Sequence, residues 1–498
     1  EYITLRAAQQ ILDRGLPLLP TGNFYSHGLI LSYVEAALMA LTGFDPLLAR
    51  LPVLLLSLLT VALIWWLGQR WFSQPVGLLA AALLALSPEA IIWGGRARMY
   101  GPLQFFVLLV VFFYWRCLAK DARWRWALLF ALSFLCALFL HAETMLLLPV
   151  LVLIAFGAAW PELRQGSLSA VLRRWWRTGL LVAWLVAGLG VLVELWFRKL
   201  GPPMVSRLGE GVYGPSGRIY LQAAWDWPGI RKTLAPLLTW PPFLGLVALL
   251  GLVWLYAFFR RGRERGPLLP PGWRAPLRYL VAIVALVLPV LLFLADPSWK
   301  SPRYLFMLLP VVFLGLAAGL LAPVSQAAGE QRWQWGLAAT ALAVVVIGGW
   351  RPAWAAAHEE VAGYDRAFEY VASQWQPGDA ILTFVPQAAS LYLAQSDYVS
   401  APTDYRGFAY EEGGRWLEGW DAIPLLDSGT GVSEALGAHE RLWFVVDEHR
   451  FHSRSAPDFV QAVWDGMELV WRAGQVMVFR TADPPPPASW EERQVDLG

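Results

Sequence analysis

Ten apolar runs punctuate the first 350 residues, at 48–68, 76–94, 101–118, 126–141, 143–160, 178–197, 236–259, 279–295, 303–323 and 334–350. Each is of the length that crosses roughly 30 Å of hydrocarbon, and in hydrocarbon only a helix satisfies its own backbone N–H and C=O groups. Hydrophobic residues make up 57% of the chain and charged residues 15%, against soluble norms of roughly 45–50% and about 25%. The 29 Trp suit the aromatic belts of a membrane interface. The fold class is therefore a polytopic α-helical membrane protein. Only His141-Ala142-Glu143 separates the fourth run from the fifth, and the two are read as separate spans rather than one broken segment.

Basic residues give the orientation, because short loops rich in Lys and Arg stay in the cytoplasm. The loops 116–125, 161–177 and 260–278 carry fourteen basic and three acidic residues. Alternating outward from them puts the N-terminus, residues 94–101, 197–235 and 295–303, and everything after 350 on the extracytoplasmic side. Residues 351–498 hold 23 of the 37 acidic residues, 10 of the 39 basic ones and no Lys, so this part is near −13 and the remainder near +15. That shift divides the chain into a first outer loop with amphipathic helices at 1–47, a membrane domain at 48–350 and a water-soluble domain at 351–498. A helical pattern at 364–375 and strand-like runs at 380–385, 441–446 and 475–480 make the last a small α/β domain, followed by a Pro-rich tail at 484–487. The localisation expected is the plasma membrane, multi-pass, with this domain outside.

The chemistry concentrates in Arg96-Ala97-Arg98-Met99-Tyr100. Guanidinium groups between apolar runs are costly without a partner, and an anion is the natural one. A planar guanidinium matches phosphate geometry with paired donors. Arg96 also reads as a headgroup anchor at the end of a span, and Arg98 and Arg303 share that alternative. Tyr100 and Tyr304 follow their arginines on the same side. His141 and Glu143 form an ionisable pair in a break between two spans, where a hydrogen-bonded structural pair is the competing explanation. Aromatic and basic residues of the 197–235 loop, among them Tyr213, Tyr220, Trp225 and Trp227, fit either ligand contact or interfacial anchoring.

Other chemistries find little support. Cys117 and Cys136 lie in or beside apolar runs and read as packing residues. No metal-site spacing, Walker loop or Ser/His/Asp signature stands out, so no metal ligands are assigned and the sequence is silent on a divalent metal. The Asp447, His449 and His452 grouping reads as a solvated loop. No nucleic-acid partner is expected.

Several short motifs recur in a fixed order: Glu1-Tyr2 before an amphipathic helix, Tyr25-Ser26-His27-Gly28, Arg50-Leu51-Pro52 opening a span, Ser87-Pro88 before the arginine cluster, and Arg303-Tyr304 with Pro310. In this combination, over roughly residues 1–325, the chain resembles the protein O-mannosyltransferase and lipid A aminoarabinose transferase group of the GT-C superfamily. The resemblance implies about eleven to thirteen spans and a sugar carried to an outer-face site on a polyprenyl phosphate. It also implies an acidic pair opening the first outer loop, of which Glu1 matches the second position, so that the chain reads as truncated just after a first span. His27 matches a position where the group has His or Lys before Pro-Pro, although Gly28-Leu29 stands here.

The expected function is thus an integral-membrane glycosyltransferase that moves a sugar from a polyprenyl-phosphate donor to an acceptor hydroxyl on the outer face, with inversion. A carboxylate must take the hydroxyl proton and cations must stabilise the departing phosphate. Glu1, or the residue before it, is the expected base, with a helix-start carboxylate as the alternative. Arg98, Arg303, Arg96 and His27 are the expected phosphate binders, with Tyr100, Tyr304, His141 and Glu143 as further site residues. The partners expected are membrane lipids, the lipid-linked sugar as donor substrate, and a protein, lipid or polysaccharide acceptor. A polytopic transporter or lipid flippase is the other class, and would be expected to show internal repeats that this sequence lacks.

Overall fold

The computed structural model describes residues 1–119, 122–199, 225–261, 269–294, 300–324, 331–359, 363–400 and 409–482. Tyr2–Arg14 (α1) and Leu29–Thr42 (α2) precede the long helix Pro46–Trp71 (α3). Gln74–Ala85 (α4), Pro88–Gly94 (α5), Tyr100–Leu118 (α6), Trp124–Leu140 (α7) and Leu147–Arg164 (α8) follow. Among the described residues, seven helices are long and apolar enough to cross a membrane, at Pro46–Trp71, Tyr100–Leu118, Ala142–Arg164, Pro241–Phe258, Pro271–Leu294, Pro302–Val324 and Arg332–Ala357. Two bent pairs add to them, and the 17-residue α7 is a shorter apolar helix. Each apolar run read from the sequence coincides with one of these segments, but the run at 76–94 is not straight.

The run expected as one span at 76–94 bends by 65° between α4 and α5. Ser87 takes the extended conformation that a following proline imposes, and Pro88 opens the next helix at its first position. The run at 178–197 likewise meets Leu168–Arg177 at 74°. The runs around residue 141 are two helices: His141 is extended, with φ −152° and ψ 124°, and a short 3₁₀ turn at Ala142–Leu146 starts the second.

Burial marks which helix faces meet protein. On α3, Val53, Ile64 and Leu67 are buried while Leu54, Leu55, Leu58 and Leu59 are exposed, as expected for a face turned to lipid. Pro302–Val324 is the most enclosed span, at the centre of the bundle. The α3/α4 crossing is close: a Cβ on Gly68 would lie 2.5 Å from the Cα of Gly77, so both glycines are needed for the backbones to approach.

The C-terminal part is an α/β domain with a six-stranded sheet. Its strands are Ala380–Thr383 (β1), Tyr398–Ser400 (β2), Leu425–Leu426 (β5), Leu442–Asp447 (β6), Met467–Ala473 (β7) and Val476–Thr481 (β8); Ala409–Glu412 (β3) and Arg415–Glu418 (β4) form a separate hairpin. The order is β5-β2-β1-β6-β8-β7, parallel from β5 to β6 and antiparallel beyond. The central strands read AILT and LWFVVD and are buried throughout, as two-sided packing requires. The Pro-rich tail lies outside the described residues.

Asp379, just before β1, accepts from Arg441 Nε at 2.7 Å and Nη2 at 2.5 Å, from Trp443 Nε1 at 2.9 Å and from the Gln376 N–H at 2.9 Å. Burial pushes the carboxyl up, but the Arg441 and Trp443 bonds, the Gln376 amide and the Arg441 charge together hold it below the usual aspartate value. A depressed carboxylate contributes stability that is full above its unfolded value and lost as pH falls through the folded one. Urea unfolding of the domain in the full chain, followed by hydrogen exchange in β1 and β6, should therefore show Asp379→Asn costing about 2–3 kcal/mol at neutral pH. The cost should shrink below pH about 4.

Candidate functional site

The arginine segment lies between α5 and α6 and is fixed by groups remote in sequence. The Glu1 carboxylate accepts from Arg50 Nε at 3.3 Å, from Arg50 Nη2 at 2.9 Å and from the Ala97 N–H at 2.8 Å. Arg50 also reaches Asp365 of the C-terminal domain at 3.6 Å, and the Tyr2 hydroxyl donates to the same carboxylate. Burial raises the Glu1 carboxyl, while the Arg50 hydrogen bond, the Arg50 charge and the Ala97 amide pull it below the usual glutamate value. Glu1 is therefore an ionised clamp that joins α1, α3 and the arginine segment.

Beyond Ala97 the two arginines diverge. Arg96 stacks over Trp93 at 5.4 Å and pairs with Glu359 at 3.2 Å on an exposed surface. Arg98 turns inward: Nη1 donates to the Tyr25 hydroxyl at 3.3 Å and to Thr4 Oγ1 at 3.4 Å. Arg303 follows Pro302, which opens a short helix at its first position. Its guanidinium donates to the Tyr304 hydroxyl at 3.2 Å and lies 5.1 Å from that ring's centre. Gln104 on α6 donates to the Phe306 carbonyl at 2.7 Å, which holds the Arg303 segment against the helix that Tyr100 begins.

Aromatic rings fill the space between the arginines. His141 stands 5.6 Å from Tyr100, 5.9 Å from Tyr304 and 6.3 Å from His27, and His27 stands 6.0 Å from Tyr25. The loop that carries Tyr25 and His27 is tied to the end of α7 by the Gly28 N–H, which donates to the Leu140 carbonyl at 2.9 Å. Gly28 has φ +74°, and a Cβ there would meet Met99 at 3.2 Å, so only glycine suits this turn. His141 Nδ1 accepts from the Glu143 N–H at 3.3 Å, which leaves the ring proton to Nε2. The Glu143 carboxylate lies 3.6 Å from that Nδ1 and within electrostatic reach of Arg303, and neither of its oxygens accepts a hydrogen bond from a described residue.

The structure thus brings together Arg98, Arg303, His27, Tyr100, Tyr304, His141 and Glu143, and sets Glu1 and Arg96 apart from them. Sequence reasoning did not single out Thr4, Trp420 or Glu35. Glu35 is fully buried on α2, within electrostatic reach of Glu1, with neither oxygen bonded. A lone glutamate in an apolar helix was its available signal.

Arg6, Arg50 and Arg96 each pair with a carboxylate. Arg98 and Arg303 have none within 4.0 Å among the described residues. Two inward guanidinium groups with no carboxylate within 4.0 Å among the described residues, ringed by hydroxyls and imidazoles, can engage an anion with several oxygens. Among the described residues no three His, Cys, Asp or Glu side chains stand where they could hold a metal ion. Asp447 and His449 line an open pocket of about 580 Å³ in the C-terminal domain, where Tyr364 and Arg450 engage the Asp447 carboxylate. Most of the 197–235 loop, with Tyr213 and Tyr220, lies outside the described residues.

Replacing Glu1 by Gln removes the charge from the clamp while keeping its size. Hydrogen exchange at the Ala97 amide should then rise about tenfold, the equivalent of about 1.4 kcal/mol for one charge-assisted bond. The exchange of α6 should not change.

Comparison with known proteins supports the fold. Residues 26–193 match a family model described as dolichyl-phosphate-mannose-protein mannosyltransferase. Curated protein sequences give no match. Among solved structures, apo ArnT from Cupriavidus metallidurans superposes with a TM-score of 0.62 at 14% identity, over 98% of this chain and 94% of that one. The same protein bound to undecaprenyl phosphate gives 0.60 at 13% identity, over 97% and 94%. The apo oligosaccharyltransferase of Archaeoglobus fulgidus gives 0.50 at 10% identity, over 94% of this chain and 69% of that one. The chain shares the fold of the ArnT structures, a helical membrane domain followed by an α/β domain.

Proposed function

We propose that this protein is a membrane glycosyltransferase that moves a sugar from a polyprenyl-phosphate donor to an acceptor hydroxyl on the extracytoplasmic face, with inversion at the anomeric carbon. The observation that carries the reading is the pair Arg98 and Arg303, turned into one aromatic-lined cluster with no carboxylate within 4.0 Å of either among the described residues. A lipid phosphate is an anion that a site at the end of a helical bundle meets from the bilayer. The related fold of ArnT, seen with undecaprenyl phosphate, supports the same choice. The positive-inside pattern of the loops supports the extracytoplasmic placement.

In the reaction, the acceptor oxygen forms its bond to the anomeric carbon as the bond from that carbon to the phosphate oxygen breaks. The polyprenyl phosphate leaves with the electron pair of that bond, and Arg98 and Arg303 stabilise the charge that develops on it. The Tyr25, Tyr100 and Tyr304 hydroxyls and the imidazoles of His27 and His141 line the same space. The acceptor proton goes to a carboxylate. Glu1 is already engaged by three donors, so we assign it to positioning, whereas Glu143 has both oxygens unbonded beside Arg303 and takes the role of base. Arg96, paired with Glu359, is assigned to neither role.

Sugar transfer from a polyprenyl-phosphate sugar, followed in purified full-length protein, tests the reading. Arg98→Ala and Arg303→Ala should each lower the rate by about 10²–10³-fold, the scale for losing one donor to a developing oxyanion, and Glu143→Gln should do the same. Arg96→Ala should stay within about twofold of wild type, as the loss of an exposed pair does. Movement of the labelled lipid across the membrane without covalent transfer would replace this reading with that of a flippase. An inactive Glu1→Gln beside an active Glu143→Gln would return the base to Glu1.

A further inference from the structure

One turn of the C-terminal domain meets the loop that carries Tyr25. Between β4 and β5, residues 418–424 fold around the Glu418 carboxylate, which is fully buried and accepts from the N–H groups of Trp420 at 2.8 Å and Asp421 at 2.7 Å. The turn closes with the Glu418 N–H donating to the Ile423 carbonyl at 2.7 Å and with Ala422 at φ +58°, a left-handed conformation that a non-glycine residue adopts only when its surroundings impose it. This rigid turn is pressed onto the first loop of the membrane domain. Asn23 Nδ2 donates to the Gly419 carbonyl at 2.9 Å, and Thr21 Oγ1 donates to the carbonyls of Gly419 at 3.2 Å and Trp420 at 3.0 Å. Thr21 and Asn23 are buried, as is Asp421, which accepts from Arg6 at 3.4 Å and Gln387 at 2.9 Å.

The side chain that the turn presents is Trp420. Its ring meets Tyr25 edge to face at 6.3 Å, and the Tyr25 hydroxyl is the group that receives Arg98. Tyr25 has Trp420 on one side and His27 on another, and is 3% exposed, so its ring cannot shift without one of them moving. Tyr25 also packs on Ala7 and Leu19 of the first 47 residues, and Trp420 is the C-terminal domain's contribution to holding its ring.

We propose that the Gly419–Trp420 turn of the soluble domain is a positioning element of the anion site: Trp420 fixes the Tyr25 ring, and through its hydroxyl fixes the Arg98 guanidinium for the lipid phosphate. The domain thereby controls donor binding from outside the membrane bundle. This rests on the site reading given above, and it assigns a role in that site to a residue about 320 positions from Arg98 in the sequence.

The test uses the full-length protein in lipid nanodiscs, with undecaprenyl phosphate as the probe and two readouts: its dissociation constant, and hydrogen exchange across residues 21–28 and 96–100. Trp420→Ala should weaken binding by about tenfold and raise exchange in both segments, while Trp420→Phe, which keeps a ring edge against Tyr25, should stay within about threefold of wild type. Asn23→Ala loosens the docking without touching the fold of the domain, and should weaken binding severalfold in the same direction if Trp420→Ala proves too unstable to purify. Wild-type binding together with unchanged affinity in Trp420→Ala, or in Asn23→Ala where that variant stands in, overturns the proposal and leaves the site reading intact. Failure of the wild-type protein to bind undecaprenyl phosphate overturns the site reading, and this proposal with it.

Discussion

The Glu1–Arg50 ion pair is the interaction on which the geometry of the candidate site depends. One carboxylate takes both forks of a guanidinium and a backbone amide, so three elements that are far apart in sequence share one charge-assisted node. The node fixes where α1 crosses α3 and where the segment after α5 turns back. Arg50 then extends it to Asp365, so the acidic soluble domain is tied to the same point. With Ala97 held there, Arg98 on one side of it is directed inward and Arg96 on the other outward. The different fates of the two arginines follow from that one anchored amide.

The same economy appears at the interface between the membrane domain and the α/β domain. Arg6, Arg50 and Arg96 carry positive charge on one side, and Asp421, Asp365 and Glu359 meet them from the other. Their effect is selective: three arginines pair at this interface, whereas Arg98 and Arg303 have no carboxylate within 4.0 Å among the described residues. On the proposed reading, this leaves the two guanidinium groups available to an anionic headgroup. A cluster of tyrosines and histidines around it adds donors without adding negative charge.

Much of this was legible in the sequence. Hydrophobic run length located the helices, since hydrocarbon thickness sets a length that few other constraints mimic. The strand-like run at 380–385 coincides with a central strand of the C-terminal α/β domain. The convergence of Arg98, Arg303, His27 and His141 was approached by asking which ends of the spans share a side. What side-sharing could not supply is azimuth. Glu1 and Arg96 have the right residue types on the right side, yet the structure turns each toward a partner, Arg50 and Glu359, that only the folded chain brings near. Trp420 gave no signal, because a tryptophan in a polar loop has many uses and its contact with Tyr25 spans most of the chain. The bend at Ser87-Pro88 was written in the proline, but hydropathy alone read the run as continuous.

The central claim is that Arg98 and Arg303 together hold the phosphate of a lipid-linked donor. The most direct measurement is an electron cryomicroscopy structure of the full-length protein in nanodiscs with undecaprenyl phosphate bound. The account predicts phosphate density within hydrogen-bonding distance of both guanidinium groups, bordered by Tyr25, Tyr100 and Tyr304, with Arg96 still paired to Glu359. Phosphate bound elsewhere, with Arg98 and Arg303 unengaged, would contradict it.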